Sequence, residues 1–325
     1  MNSSFPFHIT SEEEFEEAAL NLFQDQIQSN SVYREFCELL KVKRKHVNRI
    51  EDIPFLPIEF FKSHEVKSGN FSPEITFLSS GTTGQIQSKH HVKNLSLYVE
   101  SFTKTFEYFY GDIEDYVILG LLPSYLEREG SSLIYMVNHF IRKSKFKESG
   151  FYLNELDQLS KTLIQLDTSG KKILLIGVSF ALLDLVEKKS FQLKNTIVME
   201  TGGMKGRRKE MIRKELHDLL SKGFGVKDIH SEYGMTELLS QAYSKGNSKF
   251  ECPPQMKILI RDTEDPFHYL NYGKTGGINV IDLANTDSCP FIATQDLGKQ
   301  INSNAFEILG RFDQSDIRGC NLLVL

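Results

Sequence analysis

A chain of 325 residues and 37.2 kDa, with 40% hydrophobic and 25% charged residues, can bury a large core and is not a mainly disordered one. Its 38 Lys and Arg against 43 Asp and Glu give a formal charge of −5, which supplies no global attraction to nucleic acid. The four cysteines, Cys37, Cys252, Cys289 and Cys320, have no C-x-x-C spacing, so neither a zinc ribbon nor a thioredoxin-like pair is expected, and such sparse thiols fit a cytoplasmic setting. The N-terminal stretch carries no basic and apolar segments of signal-peptide type. Residues 1–70 read as a helical region packed on the main domain. Ser11 and Glu14 have capping-box spacing, and Phe15, Ala18, Ala19, Leu22, Phe23 and Ile27 then recur at helical intervals. A second helix is expected to carry Val32, Phe36, Leu39 and Leu40 on one face. Pro54 and Pro57 make residues 52–61 read as extended.

From residue 75, short apolar runs alternate with amphipathic stretches. Strands are expected near 75–80, 115–122, 171–177, 195–201, 227–233, 255–260 and 276–283, and helices near 93–109, 131–141, 153–166, 180–187 and 206–220. This alternation predicts an α/β fold with layered, largely parallel sheets over residues 71–309, followed by a tail at 310–325. The most apolar stretch, residues 173–186, has 14 residues and contains Ser179 and Asp184. A membrane span needs about 20 apolar residues, so this run is expected to be core.

The sharpest motif is Ser79-Ser80-Gly81-Thr82-Thr83-Gly84, directly after an apolar run. Small residues admit an anion close to the backbone, and hydroxyls add donors. A plain surface turn is the alternative. Ile86 stands where a Walker loop needs glycine, which counts against a P-loop kinase. Lys89 beyond the turn is a candidate for added positive charge, with simple solvation as its alternative. Further blocks follow in order: Gly202-Gly203, then Tyr233-Gly234-Met235-Thr236-Glu237, then Thr294-Gln295-Asp296, then Gly310-Arg311-Phe312-Asp313.

These blocks, in this order, resemble the adenylate-forming superfamily of acyl-CoA synthetases, peptide-synthetase adenylation domains and luciferases. The resemblance spans residues 78–313 and implies the large N-terminal domain of that superfamily. It implies that Ser79–Gly84 grip the phosphates of ATP and that Glu237 holds Mg²⁺. It further implies that Thr236 contacts the α-phosphate, that Tyr233 and Gly234 belong to the same nucleotide block, and that Tyr233 offers a face to adenine. Gly202 and Gly203 would flank adenine, Asp296 would accept both ribose hydroxyls, and Arg311 would reach ribose or phosphate from a hinge. Residues 55–63, 121–137 and 318–320 are similar to a narrower group, the acyl-protein synthetase family, which in bacterial bioluminescence activates fatty acids for a reductase. Its members lack most of the mobile C-terminal domain and pass the acyl group to a cysteine near the C-terminus, here Cys320.

The resemblance therefore implies ATP- and Mg²⁺-dependent activation of a carboxylic acid, of fatty type, and acyl transfer to a protein thiol. The acceptor would be a reductase or carrier protein, with no nucleic-acid or membrane partner. Two rivals stand beside it: a ligase using CoA or a separate C-terminal subunit, and a non-catalytic nucleotide or acyl sensor. The chain departs from the superfamily pattern at several points. The C-terminal-domain lysine is expected to be missing, the Ser/Thr/Gly turn lacks a Pro-Lys-Gly sequel, and residues 122–128 lack an aromatic–histidine pair, for which Tyr125 or Arg128 can substitute. The run Leu174–Leu183 is a candidate acyl wall with Gly177 as its narrow point, or ordinary core. Lys205, Arg207, Arg208 and Lys209 read as a solvated helix start or a phosphate contact. His139 reads as helix-face packing, and His90 and His91 are open to either chemistry or solvation.

Overall fold

The structure is a computed structural model that describes residues 6–80, 86–123, 130–153, 155–202 and 211–312. Ser11 caps the first helix, α1 (Glu12–Ser29), by accepting from the Glu14 amide at 3.2 Å. The Glu14 carboxylate reaches back to the Thr10 amide, one residue before the cap, at 2.7 Å. Asn30 caps α2 (Ser31–Leu39). This helix buries Tyr33 and Cys37, one turn apart, while Leu39 is 76% exposed, so the expected face is displaced. The proline-rich segment is extended only at β1 (Leu56–Pro57), and residues 60–63 form the short helix α3 (Phe60–Ser63).

The middle of the chain follows in the order β2 (Ile75–Leu78), β3 (Lys89–Val92), α4 (Leu95–Tyr110), β4 (Val117–Leu121), α5 (Ser132–Lys143), β5 (Gly150–Phe151), α6 (Leu156–Thr168), β6 (Ile173–Val178), α7 (Ser179–Lys188), β7 (Thr196–Thr201), α8 (Arg213–Phe224) and β8 (His230–Tyr233). The remainder is all strand: β9 (Ala242–Ser244), β10 (Lys249–Glu251), β11 (Met256–Arg261), β12 (Thr275–Asp282), β13 (Phe291–Gln300) and β14 (Ala305–Arg311). Helix α8 starts at Arg213, after the expected start at 206, and the Lys205–Lys209 cluster lies outside the described residues.

One sheet runs β11-β12-β13-β14-β10-β9-β8-β7-β6-β4-β5, with β1 added beside β13. Strands β5, β4, β6, β7 and β8 are mutually parallel, as βαβ crossovers require. From β8 to β11 every pairing is antiparallel, so the sheet is mixed and the expectation of a largely parallel one holds for only half of it. Strands β2 and β3 form a separate hairpin.

Two apolar cores flank the turning point at β8. One lies under α4–α8 and β4, β6 and β7. The other joins α1 and α2 to β11, β12 and β13. Leu174–Leu183 belong to the first core, and a side chain at Gly177 would meet Leu182 at 2.9 Å. That run is packed interior and not an open acyl wall. His139 is also a packing residue, its ring 5.2 Å from that of Phe102.

At the far end of β8, His230 Nδ1 lies 3.1 Å from the Tyr110 hydroxyl in a hydrogen bond, and burial pushes its pKa down to about 4. Between that value and its ordinary range the unfolded chain binds the extra proton, so stability falls as pH is lowered through this window. Urea unfolding of wild type should lose stability with acidification below neutrality. His230→Gln should remove about one proton from that slope, ~1.4 kcal/mol per pH unit. An unchanged slope would show that His230 is protonated in the fold.

Candidate active site

The expected Ser/Thr/Gly turn leaves β2 and returns into β3. Its ends are tied: Ser79 donates from its amide to the Ser88 carbonyl at 3.1 Å, and its Oγ accepts from the Ser88 amide at 2.8 Å. Gln87 Nε2 donates to the Ser79 carbonyl at 2.7 Å. Ser80 is exposed, while Gly81, Thr82, Thr83 and Gly84 lie outside the described residues.

Strand alternation then decides which side chains of 88–91 face the site. Ser88 and His90 point one way. The Ser88 hydroxyl acts on the Glu237 carboxylate and favours its charged form, and His90 Nδ1 lies 2.8 Å from the Thr236 carbonyl oxygen. His90 Nε2 lies 3.0 Å from Asn285 Oδ1, and Asn285 Nδ2 donates to the Glu237 carbonyl at 2.8 Å. Both ring contacts favour the protonated imidazole, and burial opposes them, pushing the pKa down to about 4. Lys89 and His91 point the other way, toward Glu65. The cations acting on Glu237 include Arg311 and Lys62, while Lys89 lies on the opposite side of the strand, near Glu65.

Thr236 is partly accessible, whereas Glu237 is only 4% exposed. Burial raises the Glu237 carboxyl above its ordinary range, against the Ser88 hydroxyl and the charges of Arg311 and Lys62. A buried, under-compensated carboxylate of this kind is a suitable anchor for a divalent cation shared with phosphates. Among the described residues no cluster of three or more His, Cys, Asp or Glu forms a metal site by itself, so a cation at Glu237 would need ligand oxygens.

On the other side of β8, the Tyr233 hydroxyl donates to Asp296 Oδ2 at 2.9 Å, and Arg311 Nε is 3.3 Å from Asp296 Oδ1. Burial raises the Asp296 carboxyl, with Arg311 the main opposing charge. The Tyr233 ring packs edge-on against Phe306 and Phe250, with centroids 5.7 and 6.1 Å away. Most of that ring is therefore core, and its hydroxyl positions Asp296. Gly202 adopts φ +69, a left-handed turn that suits glycine, and its carbonyl accepts from Ser179 Oγ at 3.0 Å. Gly203 lies outside the described residues, as do Tyr125, Arg128 and Cys320.

The structure thus brings together Ser79, Glu237 and Thr236 through Ser88 and His90, and, around β8, Tyr233, Asp296 and Arg311. Sequence reasoning did not single out Lys62, Asn285 or Arg213. Arg213 sits at the start of α8 with Nε 3.6 Å from Glu200, acts on Asp296, and has a buried Nη1 without a partner among the described residues. Asn285 and Arg213 stand in no recognisable local motif, whereas Lys62 lies within residues 55–63, one of the segments similar to the acyl-protein synthetase family.

The profile of a family described as acyl-protein synthetase, LuxE, matches residues 2–325. No curated protein matches the sequence significantly. The fold is similar to that of 2-hydroxyisobutyryl-CoA ligase in complex with 2-HIB-AMP and CoA, at TM-score 0.70 and 12% identity, covering 93% of this chain and 70% of that one. ATP-bound MatB from Rhodopseudomonas palustris is similar at TM-score 0.55 and 15% identity, over 74% of this chain and 49% of its own. At these identities the likeness is one of fold, that of the large domain of adenylate-forming ligases, and the chain spans about half of MatB. With the family profile covering nearly every residue, the chain belongs to the acyl-protein synthetase (LuxE) family, AMP-forming ligases that activate an acid as its acyl adenylate and transfer the acyl group to a protein thiol.

Proposed function

We propose that this chain carries out both steps, adenylation at the site between β3, β8 and β13 and acyl transfer to Cys320 or to a partner's thiol. In the first step a carboxylate oxygen of the acid bonds to the α-phosphorus of ATP, and the bond to pyrophosphate breaks. Such a displacement needs alignment and charge neutralisation more than a general acid or base. In the second step a thiolate bonds to the acyl carbon, and the bond to AMP breaks.

Ser79, Ser80 and the 81–84 turn grip the β- and γ-phosphates. Glu237 would hold Mg²⁺, which neutralises phosphate charge when bound. Thr236 donates to the α-phosphate. Asp296, held by Tyr233 and Arg311, accepts the ribose hydroxyls, and Gly202–Gly203 border adenine. The observation that carries this reading is the chain of contacts from Ser79 through Ser88 to Glu237, which joins the phosphate turn to the acidic block 150 residues downstream.

The acyl acceptor is a reductase, a carrier protein or CoA, and a cytoplasmic location fits the thiol content. A fatty acid is the substrate the family supports, although Leu174–Leu183 add nothing to it, being core. No described helix is long and apolar enough to cross a membrane. The test is acid-dependent exchange of labelled pyrophosphate into ATP. Exchange that appears only when an acid is supplied is the expected result. ATP binding without exchange across a broad acid panel would favour a non-catalytic relative.

A further inference from the structure

The face of the sheet turned toward α4 carries a polar row at the ends of β7, β8 and β9. Thr201 pairs with Glu232, and Glu232 pairs with Tyr243, so the three side chains stand side by side on that face. Gly234 and Gln241 extend the row one step further, since side chains two apart share a face. Thr201 Oγ1 donates to Glu232 Oε2 at 2.6 Å. The other oxygen, Oε1, lies where a side chain on Gly234 would meet it at 2.4 Å, and the same position would meet Gln241 Cγ at 3.3 Å.

Two groups in this row lack a partner among the described residues. The Tyr243 hydroxyl and Gln241 Oε1 are both buried without a hydrogen bond, in residues only 1% and 4% exposed. The Glu232 carboxylate acts electrostatically on Tyr243 and on Tyr98 of α4. Glu232, Gly234, Met235 and Thr236 are partly accessible, so the row adjoins the block proposed to meet the α-phosphate. Burial of unpaired polar atoms is costly unless something bonds them. Burial pushes the Glu232 carboxyl up to about 7, the Thr201 hydroxyl opposing and Glu200 adding to it.

Resting on the adenylation reading above, we propose that the acid activated here carries a hydrogen-bond-donating substituent, a hydroxyl or an amine, close to its carboxyl, received by Glu232, Gln241 and Tyr243. Gln241 Oε1 and Glu232 Oε1 are acceptors, and the Tyr243 hydroxyl can serve either way, so the complementary group is a donor. An unsubstituted fatty chain would leave the Tyr243 hydroxyl and Gln241 Oε1 unpaired. A site that hydrogen-bonds its substrate rejects the analogue lacking that group far more strongly than a site that reads one methylene.

The experiment is acid-dependent ATP–pyrophosphate exchange with hexanoate and decanoate, each beside its α- and β-hydroxy and α- and β-amino derivatives. Wild type should favour the best substituted acid over its plain parent by about 100-fold in the apparent specificity constant. Glu232→Leu should reverse that preference. Glu232→Gln should keep activity on a hydroxy acid and lose it on an amino acid, which separates the two donors. Where Glu232→Leu fails to fold, the wild-type ratio and Glu232→Gln decide. Plain acids preferred by wild type, or a preference untouched in Glu232→Leu, would overturn the inference alone. No exchange with any acid, with ATP still bound, would overturn the adenylation reading and this inference with it.

Discussion

Glu237→Gln lowers acid-dependent ATP–pyrophosphate exchange by about 100- to 1,000-fold, with no loss of thermal stability. The carboxylate is nearly inaccessible, and burial already works against its charge. An amide of the same shape keeps the packing and the Ser88 contact while relieving that penalty, so the fold should gain slightly or stay level. What would disappear is the negative group proposed to hold a cation beside the phosphates. Raising the Mg²⁺ concentration should recover part of the lost exchange, because the defect is in holding the cation. A variant with near-normal exchange would remove Glu237 from the chemistry and reduce it to a buried partner of Ser88.

Cys320→Ser abolishes the covalent acyl adduct. A thiolate is a far better nucleophile than a serine hydroxyl toward an acyl adenylate. Intact mass after incubation with MgATP and labelled acid should show one acyl increment on wild type. The increment should be lost with neutral hydroxylamine, as a thioester is. Exchange ends at the adenylate, before the thiol is needed, and so serves as the control for the first step. An increment that persists in Cys320→Ser would place the acyl group on another residue. No increment on wild type, with acyl-CoA formed when CoA is added, would make this chain a CoA ligase.

The parts of this protein legible in its sequence are those encoded locally. A hydroxyl-rich glycine turn, a Y-G-x-T-E block and a Ser-x-x-Glu cap each declare themselves within a few residues, and β6 and β7 do so through continuous apolar runs. The antiparallel half was less legible. Strands β9 and β10 have three residues each, too short for a period to register, and their faces are fixed by neighbours far along the chain. Helix α2 shows the same limit: its apolar positions cover more than one face, and only the docking of α1 and β13 selects Tyr33 and Cys37.

At the site, sequence reading found the blocks but not what connects them. His90 was left open between chemistry and solvation, and Lys89 was favoured over its neighbours because it carries charge. Pairing with β2 sets the alternation, turning Ser88 and His90 toward Glu237 and Lys89 away. Asn285 and Lys62 are isolated polar residues in loop and helix, and only the packed chain brings them to the acidic block. Glu232 is the sharpest case. It sits beside the most recognisable tyrosine in the chain, yet its meaning depends on cross-strand partners at Thr201 and Tyr243.

The central claim is that one nucleotide spans the phosphate turn, the acidic block and Asp296. A crystal structure of the full chain with Mg²⁺ and a non-hydrolysable ATP analogue tests it most directly. The account predicts the triphosphate beside Ser79 and Ser80, a cation on Glu237, and both ribose hydroxyls on Asp296. A nucleotide seated elsewhere, with Glu237 and Asp296 untouched by it, would contradict the account.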